Sequence, residues 1–142
     1  AMSIFTTEEN NSVTLRAEGK DYKQVFADGA RGLFHLLYDT DSIRDDERVE
    51  FALEAESMAD LYHSWLSELV SRSLAEHMVF GEFSVMSIQK VNAKQYVLMG
   101  SAAGEKDDTH PKKATLAKIH TDKLVCKESG GVSMCSIVIS MK

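Results

Sequence analysis

The order of strand-like and helix-like segments predicts an α+β fold in which two helices pack on a largely antiparallel sheet. Two segments of alternating apolar and polar residues are each followed by an amphipathic segment with a capping signal. Four more strand-like segments then follow without a further helix. Because consecutive strands without a crossover helix favour antiparallel pairing, the predicted order is β-α-β-α-β-β-β-β.

The first strand and the first helix are predicted between residues 13 and 38. The segment Val13–Glu18 alternates apolar and polar residues and ends at Gly19. Asp21 is the expected N-cap of the helix, and Gln24 takes the reciprocal position of a capping box. The apolar stripe of this helix consists of Tyr22, Val25, Phe26, Ala30, Leu33, Phe34 and Leu37.

The second strand and helix repeat this arrangement. Apolar residues between Val49 and Ala55 alternate with glutamates, which predicts a half-buried strand with a solvated acidic face. Ser57 and Asp60 form the next capping box. The buried stripe of the helix is expected to be Met58, Leu61, Tyr62, Trp65, Leu66, Leu69 and Val70. The remaining strands are predicted at about 79–91, 95–103, 114–127 and 132–140.

The two cysteines are predicted to lie opposite each other in a hairpin. If Gly130 and Gly131 form a two-residue turn, Cys126 pairs with Cys135. This pair falls at a non-hydrogen-bonded position, where side chains lie closest. Because the cytoplasm is reducing, we expect two packed thiols in place of a disulfide.

Length and composition predict one soluble domain covering residues 1–142. The chain has 44% apolar and 27% charged residues and no apolar run of membrane-spanning length. The segment beginning Ala1 lacks the pattern of a signal peptide, so a cytoplasmic location is expected and Ala1 resembles a cloning remnant. The net charge of −6 argues against a protein that grips nucleic acid strongly by itself.

Charge is distributed unevenly along the chain. Residues 1–110 carry 20 acidic and 10 basic residues, whereas residues 111–142 carry 2 and 6. The basic segment could dock on an anionic surface, or its lysines could keep edge strands soluble.

The sequence has no glycine-rich phosphate loop, zinc-binding helix motif or nucleophile elbow. Glu105, Asp107 and His110 offer a weak alternative as an enzyme site, although a solvated loop is the expected structure there.

Seven short motifs, in order along nearly the whole chain, carry a family resemblance. They are Gly19-Lys20, Ala30-Arg31-Gly32-Leu33-Phe34, Leu53-Glu54-Ala55-Glu56-Ser57, Trp65-Leu66-Ser67-Glu68-Leu69, Val79-Phe80-Gly81-Glu82-Phe83, Gly104-Glu105 and His110. In order and spacing the chain resembles the archease family. The resemblance implies a cytoplasmic accessory protein, not an enzyme, that assists an RNA-splicing ligase in tRNA splicing. Such proteins promote guanylylation of the ligase with a bound divalent cation, calcium or magnesium.

The sequence departs from the residues that the family uses at its metal site. The resemblance implies two essential aspartates and one essential lysine, and Ser12 and Ser140 stand at the aspartate positions. An ungapped match puts Ala117 at the lysine position, whereas a one-residue gap puts Lys118 there. Because neutral hydroxyls are weaker ligands for hard cations than carboxylates, we expect high-affinity cation binding to be lost.

Substitute oxygen ligands are available near both ends of the chain. Glu8 and Glu9 lie just upstream of Ser12, and a carboxylate following Met141 and Lys142 is a further candidate. The expected function is ligase assistance without metal-dependent activation. The alternative is a general protein-interaction or chaperone-like module on the same fold, with no ligase role.

Overall fold

The computed structural model describes residues 3–106 and 110–142, so Ala1 and Asp107 lie outside the described residues. Those residues form two helices, α1 (Tyr22–Leu37) and α2 (Met58–Glu76), and eight strands. The strands are β1 (Ser3–Glu9), β2 (Ser12–Gly19), β3 (Glu47–Ala55), β4 (Met78–Asn92), β5 (Gln95–Lys106), β6 (Leu116–Ile119), β7 (Val125–Ser129) and β8 (Val132–Met141). Every strand pairing is antiparallel among the described residues, which confirms the predicted α+β class.

Two strand assignments differ from the prediction. Strand β1 was not expected, because Ile4 and Phe5 are followed by four polar residues that break the apolar alternation. It pairs with β2 across a turn in which Asn10 has a φ of 58°, a left-handed conformation that asparagine tolerates. The predicted strand over 114–127 is two strands, because a turn at 121–124 separates β6 from β7.

Both helices begin at the predicted N-caps. The side chain of Asp21 accepts a hydrogen bond from the backbone N–H of Gln24 at 2.9 Å. The Oγ of Ser57 accepts one from the backbone N–H of Asp60 at 3.1 Å. These bonds satisfy N–H groups that have no partner within the helix. Within residues 3–106 and 110–142, neither helix combines the length and apolarity needed to cross a membrane.

The strands form two sheets, and the helices lie between them. One sheet has the order β1-β2-β8-β6, with β7 also pairing with β8, and the other has the order β3-β5-β4. Helix α1 packs on β2 and β8 of the first sheet and on β4 of the second. Helix α2 packs on β3, β4 and β5. This arrangement leaves the face of the first sheet opposite the helices, called here the outer face, without a helix among the described residues.

The predicted helix stripes form the core. Trp65 of α2 is fully buried, packs edge-on against Phe51 at 5.6 Å between ring centroids, and donates from Nε1 to the backbone carbonyl of Phe26 at 2.9 Å. Phe34 of α1 packs against both Phe80 and Phe83 of β4. The core therefore joins both helices to both sheets.

The hairpin register of the cysteines is confirmed, but their expected redox state is wrong. Gly130 and Gly131 both have positive φ, as the two-residue turn requires, and Cys126 pairs with Cys135 at 4.2 Å between Cα atoms. The structure joins the two sulfurs in a disulfide. The short separation at a non-hydrogen-bonded pair brings the two sulfurs within bonding reach, and this proximity outweighs the expectation based on a reducing compartment.

Candidate functional site

The sequence-predicted candidates Ser12, Ser140 and Lys118 lie in one row across the first sheet. Ser12 of β2 pairs with Ser140 of β8, and Ser140 pairs with Lys118 of β6. Glu9 of β1 pairs with Ser12 on the other side. Since directly paired residues of antiparallel strands project to the same face, all four side chains share the outer face. We call Glu9, Ser12, Ser140 and Lys118 the serine row.

Alternation along the strands explains why the serine row faces away from the core. Val13 is buried beside Ser12, and Ile139 is buried beside Ser140. Successive residues of a strand point to opposite faces, so burial of these apolar neighbours fixes the serines outward. A slip of one residue in register would bury the hydroxyls and expose the aliphatic side chains.

The serine hydroxyls are linked to His120, which was not a predicted site residue. The Oγ atoms of Ser12 and Ser140 are 3.4 Å apart. The Nε2 of His120 is 2.6 Å from the Oγ of Ser140, and its Nδ1 is 3.8 Å from the carboxylate of Asp122. His120 follows Lys118 by two residues, which places both on one face of an extended chain. This spacing of two residues is the sequence feature that could have identified His120 as a neighbour of Lys118.

The proposed ligand Glu8 lies away from the serine row, and so does the side chain of Met141, which precedes the proposed carboxylate. Glu8 pairs with the buried Val13, so its side chain projects to the face opposite Ser12. Met141 is partly buried and packs against the core, while its backbone N–H donates to the carbonyl of Asn11 at 2.7 Å. Of the glutamate candidates, the structure places only Glu9 beside the serines.

The serine row does not fit a site for a hard divalent cation. Within the described parts of the chain, no three histidine, cysteine, aspartate or glutamate side chains come together as a metal site. Calcium and magnesium bind through several oxygen ligands, usually including carboxylates. Around Ser140 the row offers neutral hydroxyls together with the ammonium group of Lys118, which repels a cation.

A second polar cluster surrounds Glu105 at the end of β5. Its Oε2 accepts a hydrogen bond from Nε of Arg44 at 2.8 Å, and its Oε1 bonds Nε2 of His110. Chiefly through the bond from Arg44, and next through His110, the pKa of Glu105 lies below its ordinary value. The His110 side chain is only 5% exposed, so a solvated loop is the wrong expectation for this residue.

The Glu105 cluster connects segments that are separate in sequence. Arg44, which also lies 3.2 Å from the carboxylate of Asp46, was not a sequence candidate because the loop before β3 has no periodic pattern. Both carboxylate oxygens of Glu105 are engaged by neighbouring side chains. This arrangement favours an ion-pair link between loops over a free general base.

Four lysines of the basic C-terminal segment are divided between the outer face and a cleft. Lys118 lies in the serine row and Lys127 lies on β7, whereas Lys112 and Lys142 line a mainly apolar cleft of about 280 Å³. The cleft lies between the C-terminal halves of α1 and α2, and the half-exposed Leu74 forms part of its wall.

Comparison with known proteins identifies the family. The model of the Archease protein family (MTH1598/TM1083) matches residues 7–136. This chain belongs to the archease family. The archease of Methanosarcina barkeri is 33% identical over 96 residues, covering 68% of this chain and 65% of that protein. The archease of Pyrococcus furiosus is 28% identical over 134 residues, covering 92% and 93%.

Solved structures support the same fold. The solution structure of Methanobacterium thermoautotrophicum protein 1598 superposes with a TM-score of 0.85 at 20% identity, covering 96% of this chain and 97% of that chain. A crystal structure from Thermotoga maritima, described as an archease and possible chaperone, gives a TM-score of 0.55 at 14% identity, with 94% of each chain covered. The chain therefore has the same fold as these two solved structures.

Proposed function

We propose that this archease-family chain is a cytoplasmic accessory protein that assists an RNA-splicing ligase in tRNA splicing by promoting its guanylylation. In this proposal it is not itself an enzyme, and it acts without a divalent cation of its own. Family membership supports the partnership. The uncharged hydroxyls of Ser12 and Ser140 support activity without the cation.

The observation that carries the proposal is the composition of the outer face. Four residues along β2 and β8 from the serine row, Arg16 of β2 pairs with Ser136 of β8. At the two sides of this pair, Phe5 of β1 pairs with Arg16 and Val125 of β7 pairs with Ser136. Phe5 is 53% exposed and Val125 is 45% exposed. Exposed apolar side chains supply buried contacts in protein–protein interfaces, where Phe is enriched relative to the rest of the surface. A partner docking here would bury both apolar side chains and cover the hydroxyls.

The test combines a capture assay with a guanylylation time course, using the RNA-splicing ligase of the same host. We expect the native chain to bind the ligase and to accelerate its guanylylation, and chelation of divalent ions from the accessory protein before mixing to leave binding unchanged. Phe5→Asp and Val125→Asp should each abolish capture because they place a charge in the apolar contact.

Met99→Asp is the matched control. Met99 is 43% exposed but belongs to β5 in the other sheet, so this substitution should leave capture and acceleration intact. Absence of both binding and acceleration by the native chain would reject ligase assistance. Loss of capture in the Met99 variant to the same extent would reject the outer face as the docking surface.

The alternative function is a general chaperone-like or protein-interaction module. It is supported by the description of the Thermotoga maritima neighbour as a possible chaperone and by the exposed apolar residues of the outer face. Suppression of aggregation of an unrelated unfolding protein, lost in Phe5→Asp, together with no effect on the ligase, would favour it.

A further inference from the structure

We propose that Ser140, His120 and Lys118 form a binding site for a tetrahedral oxyanion of the phosphate type. This inference goes beyond ligase assistance, because it concerns a ligand of the isolated chain. It rests on the hydrogen-bonding groups that the structure places around Ser140.

The groups nearest Ser140 can supply donors to an anion. When Nε2 of His120 carries a hydrogen, it donates to the Oγ of Ser140 across 2.6 Å, and the Ser140 hydroxyl is then free to donate outward. The Ser12 hydroxyl, 3.4 Å from that of Ser140, can donate in the same direction. Lys118, directly paired with Ser140, contributes an ammonium group to the same face.

The carboxylates of Glu9 and Asp122 lie on the far sides of this group. Glu9 is separated from Ser140 by Ser12 in the row. Asp122 approaches the Nδ1 of His120, at 3.8 Å, and not the nitrogen that bonds Ser140. Asp122 is 72% exposed, so water screens its charge. An anion over Ser140 therefore meets hydroxyls and an ammonium group before it meets either of these two carboxylates.

This donor set has the opposite preference from a pair of carboxylates. Carboxylates only accept hydrogen bonds when ionised, whereas serine hydroxyls donate as well, and lysine is a common point-charge partner for phosphate. Two hydroxyl donors beside a lysine therefore favour an anionic ligand. The same groups that make the serine row unsuitable for a cation therefore make it suitable for an anion.

The experiment is a titration followed by amide NMR of the ¹⁵N-labelled chain with inorganic phosphate, at ionic strength held constant with sodium chloride. We expect saturable shifts at Ser12, Lys118, His120 and Ser140 in the millimolar range. A parallel titration with adenosine 5′-monophosphate distinguishes the sources. Tighter binding of the nucleotide identifies a nucleotide phosphate as the ligand, and equal binding identifies free phosphate.

Two substitutions test the donors. Lys118→Ala should weaken phosphate binding about tenfold or more, as expected for a hydrogen bond to a charged group. Ser140→Asp should abolish the saturable shifts because it returns a negative charge to the centre of the site. Dispersed amide spectra of both variants will show that the fold is retained.

Matched controls lie on the same face. Lys127→Ala removes a lysine from β7, and Ser136→Asp adds a carboxylate on β8 about 13 Å along the strand from Ser140, beyond the Debye length at physiological salt. Both should change phosphate affinity by less than about threefold. No saturable shift in the native chain would overturn the proposal, as would equal weakening by Lys127→Ala and Lys118→Ala. None of these outcomes depends on the ligase.

Discussion

The contact between Gly29 of α1 and Tyr62 of α2 gives a sharp prediction about helix packing. A Cβ atom built on Gly29 would overlap the Tyr62 hydroxyl and would lie 2.9 Å from Cζ of the same ring. The hydroxyl is buried and has no hydrogen-bond partner among the described residues. Burial, followed by the nearby Asp28 carboxylate, raises the pKa of Tyr62, so the phenol stays protonated.

The expected energies follow from these contacts. Gly29→Ala gains about 1 kcal/mol of helix propensity, but the overlap with a packed ring costs about 3 kcal/mol. We therefore expect a net loss of about 2 kcal/mol. Tyr62→Phe removes an unpartnered buried hydroxyl and should raise the free energy of unfolding by up to about 1 kcal/mol. The double variant should be more stable than the sum of the two effects by about 1 kcal/mol or more, since only the milder approach to Cζ remains.

Urea denaturation of the four proteins measures these free energies of unfolding. Tyr96→Phe, which removes a hydroxyl from β5 instead, is the matched control, and its effect should add to that of Gly29→Ala within about 0.5 kcal/mol. Native stability of the single Gly29 variant would refute the reasoning. So would simple additivity between positions 29 and 62.

Three further predictions concern groups described above. Glu105→Gln should lower stability at neutral pH. Because the folded-state pKa of Glu105 is lowered, the difference from the native chain should persist above the ordinary value of 4.5 and shrink as pH falls below it, as measured by urea denaturation across that range. Replacing Cys126 by serine, or reducing its bond to Cys135, should lower the free energy of unfolding by about 2–3 kcal/mol for a loop of this length; an unchanged transition in reductant would contradict the disulfide. Trp65→Phe should cost about 1–3 kcal/mol, because the buried carbonyl of Phe26 loses its donor; thermal or urea unfolding at native stability would show that the bond contributes nothing.

Much of the fold could be predicted because capping residues and apolar periodicity, which are local features of the sequence, determine where the two helices lie. The caps at Asp21 and Ser57 and the apolar stripes of α1 and α2 were all found where the sequence placed them. Strand β1 was not predicted because it is an edge strand with little apolar alternation. Its extended conformation depends on pairing with β2, which its own sequence does not indicate.

The candidate site was predictable only where register could be inferred. The resemblance selected Ser12 and Ser140, and the structure pairs them, but their link to His120 required the path of the chain after β6. The Glu105 cluster was beyond sequence reasoning for a different reason. Its partner Arg44 is 61 residues away in an aperiodic loop, and no local pattern reports such a contact.

The position of β8 has a consequence for how the serine row is assembled. This strand follows all other described strands in the chain, yet it lies in the middle of its sheet, between β2 and β6. The two serines are 128 residues apart in sequence, so their pairing carries a large loop-closure cost and belongs to the slow, non-local part of folding. During synthesis, β2 and β6 leave the ribosome before β8, so they lack the strand that lies between them in the finished sheet. The Ser12–Ser140 pair therefore forms only when the whole first sheet has folded. Any ligand that needs both hydroxyls would bind the fully folded chain and not a partly folded one.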